Sequence, residues 1–248
     1  MSADAVLLVD AGNSRVKWGV AVPGGWLDRG QLDTALAAER FAEVALGLRG
    51  RVSAALGCQV AGPRVAAGLE AAAARAGLSL RWNRACASQC GVVNGYEVPE
   101  SLGADRWAAL VAARHRVGGP CLVVNAGTAI TIDSLDGAGR FLGGMILPGI
   151  DTMLDLMASS TAGLPRAPGY HEPFPVRTAD AMTTGAIEAA AGAAQRAHER
   201  LGNHCHAHVT TVVSGGAGGR LAPLLPGRVL EVDQLVLEGL RVVAGVDP

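Results

Sequence analysis

The sequence predicts an α/β protein made of two similar lobes, and three observations carry that reading. Apolar runs of strand length alternate with longer helical patterns along all 248 residues. Val9-Asp10-Ala11-Gly12-Asn13-Ser14 and Val124-Asn125-Ala126-Gly127-Thr128 share one design, a buried strand running into a polar, glycine-containing tip. They lie roughly 115 residues apart, which makes them a weak internal repeat. Half of the residues are apolar and only 17% charged, enough for large cores and too little polarity for a disordered chain.

Val6–Val9 is a continuous apolar run, the pattern of a strand covered on both faces. Asp10–Ser14 supplies turn chemistry and Val16–Val22 resumes as a second strand, so the pair reads as a hairpin. Asp33 or Thr34 is placed to cap a helix running to about Leu48. Val52–Cys58 is a strand, Arg64–Ala76 an alanine-rich helix, Leu78–Trp82 a strand and Gly103–Arg116 a helix. Gly118-Gly119-Pro120 closes the first half.

The second half repeats the opening. Cys121–Val124 is a buried strand, Asn125–Thr128 a polar tip and Ile130–Ser134 a returning strand. Phe141–Ile146 extends the sheet, and Pro148 is a good first residue for a helix. Residues 164–176 hold several prolines and read as loop. Ala179–Leu201 is a long helix, Val209–Val213 a strand, Ser214–Gly219 a glycine loop and Asp233–Ala244 a closing helix. No linker separates independent domains, and the lobes are expected to divide at 1–117 and 118–248.

Composition narrows the function. A net charge of -1 and a pI near 6.6 argue against a nucleic-acid or anionic-membrane partner, which needs a basic face. The N-terminus has no basic segment ahead of a long apolar run, and no stretch of about 18 uncharged apolar residues exists, so a cytoplasmic protein is expected. Five scattered cysteines fit reduced, mostly buried thiols. His204-Cys205-His206-Ala207-His208 has metal-like spacing but no supporting acids, and reads as a polar edge. Lys17 is the only lysine. In a chain this biased toward arginine, it is either a chance survivor on a solvated face or a compact point charge that the chemistry needs.

The first tip has the parts of a phosphate cradle. Gly12 admits close backbone approach, Asn13 and Ser14 offer donors, Lys17 neutralises phosphate charge, and Asp10 is placed to hold hydrated Mg²⁺. An ordinary hairpin turn explains the same residues; a second tip facing the first favours a nucleotide gripped in a cleft between lobes. Leu102-Gly103-Ala104-Asp105-Arg106 opens a helix, so Asp105 stands beside free N–H groups and is favoured as the carboxylate. Such a group is what phosphoryl transfer to an alcohol needs as proton acceptor, and Arg106 suits a substrate carboxylate. Helix capping with a surface ion pair is the plainer alternative. The Ser214–Gly219 loop, with Gly215 and Gly216, fits a backbone surface against the adenosine part of a nucleotide. Gly143-Gly144 and Pro148-Gly149 suggest close packing or a ligand passing nearby.

The order of these motifs resembles the type III pantothenate kinase family, which includes the Bvg accessory factors. The resemblance rests on Asp10-Ala-Gly-Asn-Ser14 with Lys17, Tyr96 ahead of Leu102-Gly-Ala-Asp-Arg106, and Asn125-Ala-Gly-Thr-Ala-Ile-Thr131. Gly143–Gly149, Thr161–Pro165, Ser214-Gly-Gly216 and Leu237-Glu-Gly-Leu240 follow in order, so it spans nearly the whole chain. It implies an actin-like fold of two duplicated lobes and a homodimer. It also implies Mg²⁺, a monovalent cation (K⁺ or NH₄⁺), and ATP-dependent phosphorylation of pantothenate to 4'-phosphopantothenate, the first step of coenzyme A synthesis.

Residue by residue, the resemblance makes Asp105 the base, and gives Asp10, Gly12, Asn13, Ser14 and Lys17 to the phosphates and metal. Gly127, Thr128 and Thr131 face the nucleotide from the second lobe, while Tyr96, Gly103, Ala104, Arg106 and Thr178 line the pantothenate pocket. Arg177 replaces the usual asparagine before Thr178, and Ser14 replaces a threonine. Asn125 stands where the family has aspartate; it keeps an acceptor oxygen but not the charge, so it is expected to be a weakened monovalent-cation ligand. Two alternatives remain at this point: a regulatory homologue without useful turnover, and a related kinase or phosphatase acting on another small acid or polyphosphate.

Overall fold

The structure is a computed structural model that describes residues 5–164 and 166–246. Its strands are β1 (Val6–Ala11), β2 (Arg15–Val22), β3 (Gly25–Asp33), β4 (Ala54–Gln59), β5 (Leu80–Trp82), β6 (Ser88–Gln89), β7 (Val92–Val93), β8 (Cys121–Ala126), β9 (Ala129–Leu135), β10 (Phe141–Pro148), β11 (Thr210–Ser214) and β12 (Arg228–Glu231). Its helices are α1 (Ala37–Gly47), α2 (Pro63–Arg75), α3 (Ala104–Arg116), α4 (Ile150–Ser160), α5 (Thr178–Cys205), α6 (Gly218–Leu221) and α7 (Leu235–Val243).

The chain divides into two compact units, one taking residues up to Arg116 and from Gln234 onward, the other Val117–Asp233. The first holds a five-stranded sheet in the order β3-β2-β1-β4-β5 and the second a sheet in the order β10-β9-β8-β11-β12. The two orders correspond strand for strand. In each, the tip-bearing strand runs antiparallel to its hairpin partner and parallel to the strand on its other side. The repeat read from two short tips therefore extends to the whole sheet.

The first core joins Leu7, Val9 and Ala11 of β1 to Phe41 of α1 and Leu69, Ala72 and Ala73 of α2. The second joins Leu122, Val124, Ile130 and Ile132 to Leu154 of α4 and Ala186, Ile187, Ala190 and Ala194 of α5. Many of the helix contacts are alanines, which lets helix and sheet backbones approach closely at little side-chain entropy cost.

The expected boundary at 118–248 is corrected by α7, which returns to the first unit and packs on α3, β1 and β2. Its buried stripe is Leu235, Val236, Leu237, Gly239 and Leu240. Trp26 donates from Nε1 to Glu238 Oε1 at 3.0 Å, and Arg116 pairs with Glu238 Oε2 at 3.1 Å. A helix following a strand reads the same in sequence wherever it docks, so periodicity carried no sign of the return.

Three further differences have local causes. Strand β3 was not expected because an edge strand is half solvated and carries Asp28 and Arg29 where a central strand would be apolar. Pro148 ends β10 instead of opening a helix; α4 starts at Ile150 after Gly149. Asp33 makes no side-chain cap, while Thr34 donates from Oγ1 to the Gly12 carbonyl at 2.8 Å and so ties down the first tip.

Candidate active site

On the first unit, Asp10 stands near the end of β1, with Lys17 of β2 opposite it in the antiparallel register and Cys58 of β4 opposite it in the parallel register. Paired residues share a sheet face, so the carboxylate, the amine and the thiol project from the same side. Lys17 is thus a strand residue beside Asp10, in the returning strand of the expected hairpin. The tip itself closes by the Gly12 N–H donating to the Arg15 carbonyl at 3.0 Å, and leaves Asn13 and Ser14 exposed.

Asp10 is buried, with only 8% of its surface exposed, and burial pushes its carboxyl up from the ordinary 3.8 to about 6. Lys17 and the Cys58 hydrogen bond pull it down, and the neighbouring Asp105 carboxylate pushes it up. Burial, followed by the Asp10 and Asp105 charges, holds the Cys58 thiol well above its usual range, so it stays protonated. Two carboxylates from different elements are therefore close enough to repel each other, with one amine nearby.

Asp105 and Arg106 open α3 as the sequence predicted. The Arg106 backbone N–H donates to Asp105 Oδ1 at 2.8 Å, which fixes the carboxylate at the helix start. A Cβ at position 103 would lie 2.7 Å from that same oxygen, so Gly103 leaves the space in which the carboxylate sits. Arg106 is 5% exposed and donates from its guanidinium to the Tyr96 hydroxyl at 2.9 Å, its charge 5.7 Å from the centre of the Tyr96 ring. Tyr96 is held in turn by its N–H on Asn94 Oδ1 at 3.1 Å. Ala104 lines a shallow cavity of about 260 Å³ with Gln59, Trp82, Asn83 and Arg84.

Sequence reasoning missed the brace behind this segment. Fully buried Trp107 donates from its indole to Gln89 Oε1 at 2.7 Å, and Gln89 Nε2 donates to Asn83 Oδ1 at 3.0 Å. The short β6–β7 hairpin thereby pins the helix that carries Asp105. Two-residue strands leave no period to read, and a tryptophan in an alanine helix signalled only burial.

On the second unit, Asn125 of β8 lies opposite Thr131 of β9 and Ser214 of β11. This reproduces the Asp10, Lys17 and Cys58 arrangement with neutral groups throughout. Gly127 closes its tip by donating from N–H to the Ala129 carbonyl at 3.0 Å, and Thr128 is exposed with its carbonyl held by the Gly149 N–H at 2.9 Å and Thr152 Oγ1 at 3.0 Å. Gly149 is thus a packing residue. Gly215 adopts φ +94°, and a Cβ there would lie 2.4 Å from the Ala126 carbonyl oxygen, so backbone contact with β8 accounts for it. Gly216 faces open space. Thr178 comes from another element, the exposed first residue of α5.

The donor set of the first unit suits a hard divalent cation. Asp10 and Asp105 offer carboxylate oxygens, Asn13 and Ser14 further oxygens, and a buried carboxylate driven up to about 6 gains most from a cation beside it. Mg²⁺ commonly takes one or two carboxylates, with nucleotide phosphates and water supplying the rest.

Solved structures that resemble the chain agree with the duplicated architecture. A Baf family protein of Campylobacter jejuni is 20% identical with a TM-score of 0.62, over 96% of this chain and 97% of that one. An inorganic polyphosphate/ATP-glucomannokinase of Arthrobacter sp. strain KM is 16% identical with a TM-score of 0.50, over 98% and 99%. The fold is the duplicated, two-lobed actin-like one. Sequence similarity is closer. The type III pantothenate kinase of Azoarcus sp. strain BH72 is 45% identical over 98% of this chain and 91% of that protein. That of Acidovorax ebreus strain TPSY is 39% identical over 96% and 95%. Residues 6–200 match the family model of these enzymes. With the tips, the start of α3 and this similarity in agreement, the chain belongs to the type III pantothenate kinase family.

Proposed function

We infer that this chain transfers the γ-phosphate of ATP to the hydroxyl of pantothenate, giving 4'-phosphopantothenate at the first step of coenzyme A synthesis. The observation that carries the reading is the start of α3, where Asp105 stands beside a buried Arg106 braced on Tyr96, in a chain of this family. Asp105 accepts the proton of the attacking hydroxyl. Arg106 holds the acid end of pantothenate by charge-assisted hydrogen bonds, with Tyr96, Gly103 and Ala104 around it, and Thr178 is the second unit's candidate for the substrate.

Lys17, Asn13, Ser14 and Gly12 serve the phosphates; Gly127, Thr128, Thr131, Gly215 and Gly216 are the nucleotide set of the second unit. Asp10 would hold Mg²⁺, which when bound supplies charge neutralisation on the phosphates. Asn125 is the counterpart position for K⁺ or NH₄⁺ and offers a carbonyl dipole in place of a charge. An accessory role without turnover is not favoured, because the relatives bear the kinase name and Asp10, Lys17, Asp105 and Arg106 are all present.

A homodimer is part of this reading. Its support is the apolar surface of the second unit, where Phe174 is 90%, Val176 95% and Tyr170 68% exposed. Among the described residues no helix is long and apolar enough to cross a membrane; a cytoplasmic location is proposed with the rest. The test is ADP release coupled to a reporter, run with pantothenate and with other small hydroxy acids. Release that requires pantothenate supports the reading; equal release with all acceptors, or none with pantothenate, rejects it.

A further inference from the structure

Cys58 is buried with no measurable exposure, and its Sγ lies 3.7 Å from Asp10 Oδ1. We propose that Cys58 is a positioning residue for the metal–nucleotide site, its thiol holding the Asp10 carboxylate in the orientation that meets the cation. The proposal rests on the reading of Asp10 as the metal-side carboxylate.

Three observations support it. The strand register puts Cys58 directly beside Asp10, on the flank opposite Lys17, so the carboxylate stands between a thiol and an amine from the two neighbouring strands. The hydrogen bond runs from the Cys58 thiol to Asp10 Oδ1, so the thiol is the donor and the carboxylate the acceptor. The second unit repeats the device: Ser214, only 6% exposed, occupies the same register beside Asn125. Each sheet thus places a small side chain with a hydrogen to donate next to the polar residue of its tip strand. A buried cysteine that merely filled space would be replaceable by valine, and the duplicated position would need no hydroxyl.

A carboxylate that loses its lateral donor is free to rotate about its side-chain bonds. It must then be ordered when the cation binds, which weakens the metal-bound nucleotide and leaves the metal-free one alone. A hydrogen bond from a weak thiol donor corresponds to roughly three- to tenfold in affinity.

The experiment is calorimetric titration of the whole protein with ADP, alone and with Mn²⁺ as the probe ion, backed by the electron paramagnetic resonance signal of bound Mn²⁺. The variants are Cys58→Val, Cys58→Ala and Cys58→Ser, with Asp10→Ala as the control. Cys58→Val keeps the volume and an apolar filling, so it guards against a folding failure of the alanine form. The expected result is about three- to tenfold weaker Mn²⁺–ADP binding in the valine and alanine forms, unchanged binding of ADP alone, and recovery in the serine form. If Cys58→Val binds Mn²⁺–ADP like the native protein while Asp10→Ala does not, the thiol has no such role. A serine form no better than the valine form also rejects it. If Asp10→Ala keeps full Mn²⁺–ADP binding, the underlying assignment of Asp10 fails, and the role of Cys58 fails with it.

Discussion

Asp10→Asn is expected to stabilise the ligand-free protein while abolishing its response to metal-bound nucleotide. The native carboxyl is moved from 3.8 to about 6, chiefly by burial. That displacement corresponds to about 3 kcal/mol by which the ionised side chain disfavours the folded state. The sign follows from a folded value raised above the unfolded one. Below about pH 4 the carboxyl is neutral in both states and costs nothing; between about pH 4 and 6 stability falls as pH rises; above about pH 6 the full cost is present.

Asparagine has the same shape and no charge, so the variant should melt about 6–12 °C higher at pH 8, taking roughly 2–4 °C per kcal/mol for a chain of this size. The gap should close as the pH is lowered toward about 4. Mg²⁺–ADP should raise the melting temperature of the native protein and not that of the variant. Differential scanning fluorimetry across pH, with and without Mg²⁺–ADP, measures all three. A variant no more stable than native at pH 8, or a gap that stays constant down to about pH 4, would refute the view of Asp10 as a strained, cation-seeking carboxylate.

Other substitutions test the remaining roles. Asp105→Asn should lower kcat by roughly 10²–10⁴ with little change in ATP binding, and near-normal turnover would remove Asp105 from the mechanism. Lys17→Ala should weaken ATP more than pantothenate, and Lys17→Arg less severely, because the guanidinium keeps the charge without the compact geometry; unchanged ATP constants in both would leave Lys17 only its place beside Asp10. Asn125→Asp should lower the half-saturating K⁺ or NH₄⁺ concentration, roughly doubling the strength of a contact that the native amide makes without charge. A native protein already saturated at low cation, with nothing gained by aspartate, would show that other groups hold the ion.

Much of the site was legible because its parts are local. Asp10–Ser14, Gly103–Arg106 and the second tip each combine chain direction, a glycine and a polar group within a few residues, and the structure puts each where those cues imply. What escaped was set by pairing between distant segments. Cys58 belongs beside Asp10 through a parallel pairing 48 residues away, and that register leaves no trace in periodicity. The return of α7 to the first unit, the Trp107–Gln89–Asn83 chain and the edge strand β3 are likewise products of docking. Gly149, which the sequence leaves open to close packing or a passing ligand, is explained by close backbone contact, because a glycine in sequence does not say which neighbour requires it.

The most direct test of the account is mass spectrometry of the small molecules after the purified protein is incubated with ATP, Mg²⁺, K⁺ and pantothenate. The account predicts that pantothenate gains one phosphoryl group at its hydroxyl, with an equal amount of ADP, and that the Asp105→Asn protein forms almost none in the same time. Pantothenate recovered unmodified while the native protein binds Mg²⁺–ADP normally would contradict the assigned reaction.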